Sequence, residues 1–367
     1  MSQPMIRLDR VTKTFPGADR PAVRDLSLDV GRGEILTLVG PSGCGKTTTL
    51  RMINRLIEPT SGRIYLDGQD VTDTDPHRLR RSIGYVIQQV GLFPHRTVAE
   101  NIATVPELLG WERERVDRRV EELVDLVGLD RELLDRYPGE LSGGQQQRVG
   151  VARALAADPP VLLMDEPFGA VDPIVRGRLQ DELLALQERL RKTIVFVTHD
   201  IDEAIRLGDR MCILNVGGVV EQVGSPREVL SAPASAFVAE FLGGERGLRR
   251  LGLIPIGEVE LRRGPMVQRT ATVDEARRVM AREGVDWVGV LDGDRIVGWV
   301  ASGELPGTGT LEELETRPFL VTVDRSTSLR AALDAVVTSH TRVAVVVEQG
   351  RYVGLLDVDL IAEEITE

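Results

Sequence analysis

The sequence has few of the residues that build disulfide frameworks, thiolate metal sites and membrane-spanning segments. Its 367 residues include two cysteines, Cys44 and Cys212, and four histidines. Two cysteines are too few for a disulfide framework, so a reducing cytosol is the expected compartment. No apolar run approaches the roughly 18 residues that a transmembrane helix needs, and charged residues interrupt the N-terminal stretch, where a signal peptide would be apolar. If the protein acts at a membrane, we expect another chain to cross it.

The chain also lacks an excess of positive charge. It has 45 Lys and Arg against 57 Asp and Glu, a formal net charge of −12. Nucleic-acid partners need a concentrated basic face, so none is expected. The hydrophobic content of 42% and the charged content of 28% are typical of a folded protein, and the length allows two or three domains.

What the sequence does contain is a glycine-rich segment between a short apolar strand and a helix-like run. In GEILTLVGPSGCGKTTTLRMI the pattern is Gly40-x4-Gly45-Lys46-Thr47. Glycines let backbone N–H groups surround phosphates, Lys46 would reach the β- and γ-phosphates, and the Thr47 hydroxyl would ligate Mg²⁺. The alternative is a turn that only links strand and helix. Cys44 occupies a position that any residue can fill and is interpreted as structural.

Three further apolar strands end in polar side chains. PVLLMDEP ends in Asp165, expected to hold Mg²⁺, and Glu166, expected to act as general base for an attacking water. KTIVFVTHD ends in His199, expected to contact the γ-phosphate, because parallel strands share one ligand-binding edge. IGYVIQQ supplies Gln88, a candidate Mg²⁺ or water ligand that chemistry alone leaves undecided. A helix cap for the acidic pair and a surface position for the histidine are the alternatives.

A second glycine-rich loop, LSGGQ at residues 141–145, also opens a helix pattern but carries no lysine. Ser142 and the amides of Gly143 and Gly144 would offer donors and a positive helix end to an anion. The first loop already supplies one chain's phosphate cradle, so the second is expected to serve another molecule. Two copies arranged about a twofold axis would each lend this loop to the other's ATP.

In this order, the motifs closely resemble those of the ATP-binding subunit of an ATP-binding-cassette (ABC) transporter. GPSGCGKTT resembles the Walker A loop, YVIQQ the Q-loop, LSGGQ the signature, VLLMDEP the Walker B strand, GAVDP the D-loop and VTHD the switch histidine. The resemblance implies a P-loop NTPase cassette with a RecA-like α/β core and antiparallel β and α-helical subdomains. It implies ATP and Mg²⁺ as cofactors, and ATP hydrolysis as the activity.

The resemblance also assigns roles to individual positions. Phe15 would stack on adenine, although it could equally be a core phenylalanine, and Asp172 would lie in the D-loop at a dimer interface. Gln88 joins Lys46, Glu166 and His199 in catalysis, and joins Thr47 and Asp165 as a Mg²⁺ ligand. Gln145 joins the signature residues that act in trans. The implied ATP-binding residues are Phe15, Gly40, Pro41, Ser42, Gly43, Cys44, Gly45, Lys46, Thr47 and Thr48.

The tail repeats itself with an offset of 56 residues, so that residues 272–300 align without gaps on residues 328–356. Each repeat reads as helix, strand, turn and strand, and is too short to bury a core well alone. The pair resembles a tandem cystathionine-β-synthase-type (CBS) module, a regulatory attachment that binds nucleotides or senses other signals. Where that family usually has a ribose-binding threonine and aspartate, this chain has Ala301 with Glu304, and Asp357 with Asp359. A dimerising tether is the alternative role.

The expected organisation is an ABC domain, a linker and two CBS units. The ABC domain spans 1–242 with a helical subdomain at about 89–157, the linker spans 243–265, and the CBS units span 266–310 and 311–367. The stripe of Val116, Val120, Leu123, Val124 and Val127 predicts an amphipathic helix in the subdomain. In the family this subdomain also receives a short helix of the membrane subunit.

The CBS tail and segments such as VPELLGW resemble uptake ATPases for glycine betaine, carnitine, choline or proline. The resemblance implies import of a quaternary-amine osmoprotectant. The implied partners are a second ATPase copy, membrane permease subunits, a substrate-binding protein acting indirectly, and a regulatory nucleotide at the CBS module. The implied location is the cytoplasmic face of the membrane. An importer ATPase for another small solute, and a soluble ABC ATPase without a transport role, are the alternatives.

Overall fold

The computed structural model describes residues 3–87, 91–169 and 171–366. The chain divides into two compact units, Met1–Leu242 and Gly243–Glu367. Within the described residues, every helix is too short or too polar to cross a lipid bilayer.

In its described residues, the N-terminal unit contains ten strands in two sheets. They are β1 (Ile6–Lys13), β2 (Val23–Val30), β3 (Ile35–Val39), β4 (Ser61–Leu66), β5 (Gln69–Asp70), β6 (Ile83–Val86), β7 (Val161–Asp165), β8 (Thr193–Val197), β9 (Arg210–Asn215) and β10 (Val219–Gly224). One sheet is antiparallel with the order β2-β1-β4-β5. The other has the order β10-β9-β3-β8-β7-β6, and all its pairs are parallel except β10 with β9.

The described helices of this unit are α1 (Lys46–Ile53), α2 (Pro76–Arg81), α3 (Val98–Leu108), α4 (Arg113–Leu126), α5 (Gly143–Leu155), α6 (Pro173–Leu190), α7 (Ile201–Leu207), α8 (Pro226–Ser231) and α9 (Ala236–Leu242). The predicted amphipathic stripe lies on α4, with Val127 just beyond its end, and all five of its residues are buried. They share a hydrophobic core with residues of α3 and α5. The same core contains residues of the parallel sheet, so the apolar faces of these helices pack against the sheet as well as against each other.

The parallel sheet places the functional segments on one edge. Every residue of β3, β7 and β8 is buried, as expected for strands covered on both faces. These three strands are neighbours in the order β3-β8-β7. The loops that follow their carboxyl ends, beginning at Gly40, Glu166 and Thr198, therefore emerge side by side.

The C-terminal unit contains two three-stranded sheets. Its strands are β11 (Met266–Gln268), β12 (Trp287–Asp292), β13 (Arg295–Ala301), β14 (Thr322–Val323), β15 (Val343–Glu348) and β16 (Arg351–Asp357), and its helices are α10 (Arg246–Leu251), α11 (Val273–Glu283), α12 (Leu329–Thr338) and α13 (Val358–Thr366). The sheet orders are β11-β12-β13 and β14-β15-β16, each with one parallel and one antiparallel pair. The two sheets follow the 56-residue repeat.

Packing in this unit crosses the expected sequence boundaries. Leu251, Ile254 and Ile256, from the segment expected to be a linker, lie in the core of the second repeat. Conversely, Leu311 lies in the core of the first repeat, although it was assigned to the second unit. Each short repeat thus gains its missing apolar surface from a segment outside its own bounds, which is the physical reason for the difference.

Candidate active site

The phosphate loop, residues 40–47, follows β3 and leads directly into α1. Gly40, Gly43 and Gly45 have φ angles of 153°, 78° and 107°, a region that side chains disfavour. A Cβ atom on Gly40 would lie 2.1 Å from the Leu214 carbonyl oxygen, and one on Gly45 would lie 2.7 Å from the Ala22 carbonyl oxygen. Glycine is therefore required at Gly40 and Gly45 for the loop to fit against its neighbours.

Lys46 is folded back onto this loop. Its side chain is buried, and Nζ donates hydrogen bonds to the carbonyl oxygens of Gly40 at 2.7 Å and Pro41 at 3.1 Å. Cys44 is buried beside it, and burial raises the pKa of its thiol. That environment agrees with a structural cysteine. The remaining loop residues are exposed (Ser42 and Gly43) or half-buried (Pro41, Thr47 and Thr48).

Thr47 and Asp165, two of the expected magnesium ligands, are in direct contact. Thr47 Oγ1 donates a hydrogen bond of 2.9 Å to Asp165 Oδ1. Burial raises the pKa of the Asp165 carboxyl, the Thr47 hydrogen bond opposes that rise, and the Glu166 charge adds to it. The described residues contain no group of three or more His, Cys, Asp or Glu side chains able to hold a metal. One carboxylate and one hydroxyl suit Mg²⁺, which is usually completed by substrate phosphates and water. Gln88, the third expected ligand, lies outside the described residues.

Glu166 and His199 are brought together from the ends of adjacent strands. Glu166 has a φ of 45°, in the left-handed region, and its N–H donates a 2.9 Å hydrogen bond to the Val197 carbonyl. Its Oε2 atom lies 3.1 Å from His199 Nδ1. The His199 side chain is 64% exposed, whereas the Glu166 side chain is only 21% exposed. The imidazole therefore holds the Glu166 carboxylate in place, and this carboxylate could orient a water molecule beside it.

Two neighbours of Asp165 were not found from the sequence. Arg51 of α1 and Tyr85 of β6 both interact electrostatically with Asp165. Burial raises the pKa of the Tyr85 phenol and the Asp165 charge adds to that rise. Arg51 follows Thr47 by four residues on the same helix, a spacing that places both side chains on one face and could have indicated the contact.

The second glycine-rich loop forms a capped helix start. The Ser142 hydroxyl accepts a hydrogen bond from the Gln145 N–H at 3.3 Å, and the Gln145 side chain accepts one from the Ser142 N–H at 2.8 Å. Gly143 is exposed and has open space where a Cβ would be, whereas a Cβ on Gly144 would lie 3.1 Å from Val175. The structure therefore presents Ser142 and Gly143 on the surface at the start of α5.

Phe15 and Asp172, which the family resemblance assigned, are both at the surface. The Phe15 ring is 41% exposed, with Lys13 Nζ 5.3 Å from its centroid, so it is not a core phenylalanine. The Asp172 carboxylate accepts hydrogen bonds from the N–H groups of Ile174 and Val175 and caps α6. Asp172 therefore has a local structural role whatever it contacts in an assembly.

In the C-terminal unit, arginines form ion pairs with two of the acidic residues noted in the sequence. Glu304 forms an ion pair with Arg317, and Asp357 forms one with Arg262 at 2.6 Å. Glu304 also accepts a hydrogen bond from the Ala301 N–H at 3.2 Å. Asp359 is exposed. Both acidic groups are thus engaged by guanidinium partners of the same unit.

Comparison with known proteins places these observations in a family. The ABC transporter family matches residues 23–169, and the CBS domain family matches residues 311–367. The chain is 47% identical over 366 residues to the osmoprotectant import ATP-binding protein OsmV of Salmonella typhimurium, covering 98% of this chain and 96% of that protein. It is 52% identical over 294 residues to the glycine betaine/carnitine/choline transport ATP-binding protein OpuCA of Bacillus subtilis, covering 80% and 77%.

A solved structure, the dimeric bacterial ABC transporter cassette MJ0796, is 38% identical and matches with a TM-score of 0.55, covering 60% of this chain and 99% of that one. The expected fold class, an α/β cassette followed by a CBS domain, is therefore confirmed. The chain belongs to the ATP-hydrolysing, ATP-binding subunits of ABC transporters and carries a CBS domain at its C-terminal end.

Proposed function

We propose that this chain powers the import of a quaternary-amine osmoprotectant, such as glycine betaine, carnitine, choline or proline. The observation that carries the proposal is the alignment with OsmV, which extends through the CBS tail as well as the cassette. The cassette itself does not touch cargo in this proposal, so its residues encode no cargo pocket. The relatives named above are all import or transport proteins, and a soluble ABC ATPase without a transport role is therefore not favoured.

The working unit in this proposal is a pair of chains bound to membrane partners. The MJ0796 cassette is dimeric, and a twofold pair would place Ser142, Gly143 and the start of α5 from one copy against the ATP of the other. Membrane permease subunits would dock on the helical subdomain from the cytoplasmic face of the membrane, and a substrate-binding protein would deliver cargo to them. The other site residues named above keep the roles given in the sequence analysis.

Within each site, the proposed chemistry is mainly positioning and charge neutralisation. Lys46 would exchange the Gly40 and Pro41 carbonyls for phosphate oxygens, and Phe15 would stack on adenine. Thr47 and Asp165 would hold Mg²⁺, which supplies charge neutralisation at the phosphates when bound. Glu166 would take a proton from the attacking water, and His199 would hold that carboxylate in place. The water oxygen bonds to the γ-phosphorus as the bond to the ADP oxygen breaks.

The cargo is tested by uptake in cells that contain the chain together with its permease and binding protein. We expect labelled betaine, carnitine, choline or proline to accumulate with the natural chain, and not with Lys46→Ala, because that variant loses the phosphate-binding cation. The alternative cargo is tested in parallel with labelled sulfate and neutral amino acids other than proline. Uptake of one of those compounds, without uptake of betaine, carnitine, choline or proline, would replace the cargo but keep the transport role.

The C-terminal unit is proposed to act as a regulator that binds an adenine nucleotide. A nucleotide that used Glu304 or Asp357 would have to open the ion pairs with Arg317 or Arg262. These side chains are between 27% and 52% exposed, so salt would also weaken the pairs. The proposal therefore links nucleotide binding and ionic strength to the same two contacts.

Calorimetric titration of the full-length Lys46→Ala chain with AMP and ATP tests this regulator, because the variant suppresses binding at the cassette. We expect a residual binding heat that disappears in the double variant Lys46→Ala, Asp357→Ala and a binding affinity that rises with salt, because salt weakens the ion pair that the nucleotide must open. An Asp334→Ala change on the outer part of α12 serves as control and should leave the heat unchanged. If no heat remains in Lys46→Ala, the C-terminal unit is a tether and not a nucleotide sensor.

A further inference from the structure

The D-loop is held by a residue of the helix that follows it. The Val171 carbonyl oxygen accepts a hydrogen bond from Arg176 Nη2 at 3.0 Å, and the Asp172 carbonyl oxygen accepts one from the Arg176 N–H at 2.8 Å. Arg176 lies in the first turn of α6, whose start Asp172 caps. The guanidinium therefore folds back over the loop that precedes its own helix.

The switch histidine is held from the residue that follows it. The Asp200 N–H donates to Thr198 Oγ1 at 3.0 Å, across His199. Asp200 Oδ1 then accepts hydrogen bonds from the N–H groups of Asp202 and Glu203, at 2.9 and 3.2 Å, and so caps α7. The backbone on both sides of His199 is thus fixed to the start of α7.

Arg176 joins these two segments. Its Nη1 atom lies 3.7 Å from Asp200 Oδ2, the oxygen of Asp200 that does not cap α7. Its Nε atom is buried and has no hydrogen-bond partner in the described part of the chain. The side chain is 29% exposed, so solvent screens the pair less than an ion pair in open water. One guanidinium therefore connects the D-loop carbonyl to the residue beside the switch histidine.

Behind this contact, α6 and α7 are joined by a second polar layer. Gln180 Nε2 donates to Glu203 Oε1 at 3.0 Å, and both side chains are buried. Burial raises the pKa of the Glu203 carboxyl. Arg206 donates to Gln180 at 3.1 Å and to Asp181 at 2.5 Å. These contacts hold the two helices together independently of the Arg176–Asp200 pair.

We propose that Arg176 is a positioning residue for ATP hydrolysis, which sets His199 according to the position of the D-loop. The inference rests on the proposed function, since it assumes that the D-loop meets a second copy and that Glu166 and His199 act on water. Contact of the second copy with the D-loop would move the Val171 carbonyl, and Arg176 would convey that movement to Asp200. ATP would then be hydrolysed only when the second copy contacts the D-loop.

The test compares steady-state ATP hydrolysis of the full chain with that of Arg176→Ala. We expect kcat to fall about tenfold or more, with KM for ATP changed by no more than about threefold, because the variant misplaces a reacting group without touching the nucleotide. We also expect the dependence of rate on ATP concentration to lose cooperativity. Arg176→Lys keeps the charge but reaches only one of the two partners, so its kcat should lie between the two.

Asp200→Asn gives an independent reading, because asparagine still caps α7 but carries no charge. The loss of kcat in the double variant Arg176→Ala, Asp200→Asn should be smaller than the product of the two single losses, since both remove the same contact. A full product of losses would contradict the proposal. So would an Arg176→Ala chain that turns over ATP at the normal rate.

Arg206→Ala is the matched control. Arg206 also bridges α6 and α7, through Gln180 and Asp181, but it contacts neither loop. We expect its kcat to stay within about twofold of the natural chain. An equal loss of kcat in Arg206→Ala would show that Arg176 only helps to hold the two helices together and does not specifically position His199. Absence of hydrolysis in the natural chain itself would instead remove the proposed function, and the role of Arg176 with it.

Discussion

We expect a Glu166→Gln chain to bind ATP and to hydrolyse it about 100-fold or more slowly than the natural chain. Glutamine has nearly the same shape and keeps the left-handed backbone that Glu166 already adopts, but its amide cannot take a proton from water. Because ATP is bound and not consumed, the paired chains should stay closed. Phosphate release measures the rate, and size-exclusion chromatography with and without ATP measures the pairing.

Two further variants make this result specific. Glu188→Gln alters an exposed glutamate on α6 and should leave both rate and pairing unchanged. His199→Ala should also slow hydrolysis, because it removes the group 3.1 Å from the carboxylate. If Glu166→Gln turned over ATP at a near-normal rate, Glu166 would not be the general base.

We expect a mixture of Lys46→Ala and Gly143→Asp chains to hydrolyse ATP, although neither variant should do so alone. Each mixed pair contains one intact phosphate loop from the Gly143→Asp copy and one intact signature from the Lys46→Ala copy. If the signature acts in trans, these two parts meet in one complete site. If it acted within its own chain, every site in the mixture would remain defective. The expected regain is about half of the natural turnover per mixed pair, apart from any coupling between sites.

The Gly143→Asp change is suited to this experiment because it should not disturb the fold. A Cβ atom on Gly143 meets nothing within 4 Å, and an acidic side chain is favourable in the first turn of a helix. The same carboxylate would repel a γ-phosphate strongly at close range. Gly143→Ala adds bulk without charge and should retain most of the activity. Failure of the mixture to hydrolyse ATP, with both variants folded and paired, would remove the trans arrangement.

Sequence is most informative about which site residues lie close together where their positions depend on the order of strands and loops. Gly40 and Lys46 could be placed because Gly40 follows a buried parallel strand and Lys46 begins the helix after the same loop. Asp165 could be placed because it ends another buried parallel strand, and such strands share one edge. The contact between Glu166 and His199 could not be predicted in the same way. It depends on the left-handed backbone at Glu166, a conformation that no property of glutamate favours.

Contacts between segments distant in sequence were the least predictable. The link from Arg176 to Asp200 depends on how α6 and α7 are placed, and a single arginine on a helix carries no sign of it. In the tail, the 56-residue offset identified both repeats, but it could not indicate that Leu251 packs with the second repeat and Leu311 with the first. Sequence repetition locates similar units and does not specify which chain segment completes which core.

The route of the chain through the C-terminal unit has a mechanical consequence. The last helix of the cassette ends at Leu242, and Leu251 is already anchored in the repeat that is more distant along the sequence. A pulling force on the segment between Leu242 and Leu251 would therefore act first on the second repeat and not on the first. Severing the backbone at position 310 would separate Leu251 from the core of the second repeat and Leu311 from the core of the first, so each half would lose part of its buried apolar surface.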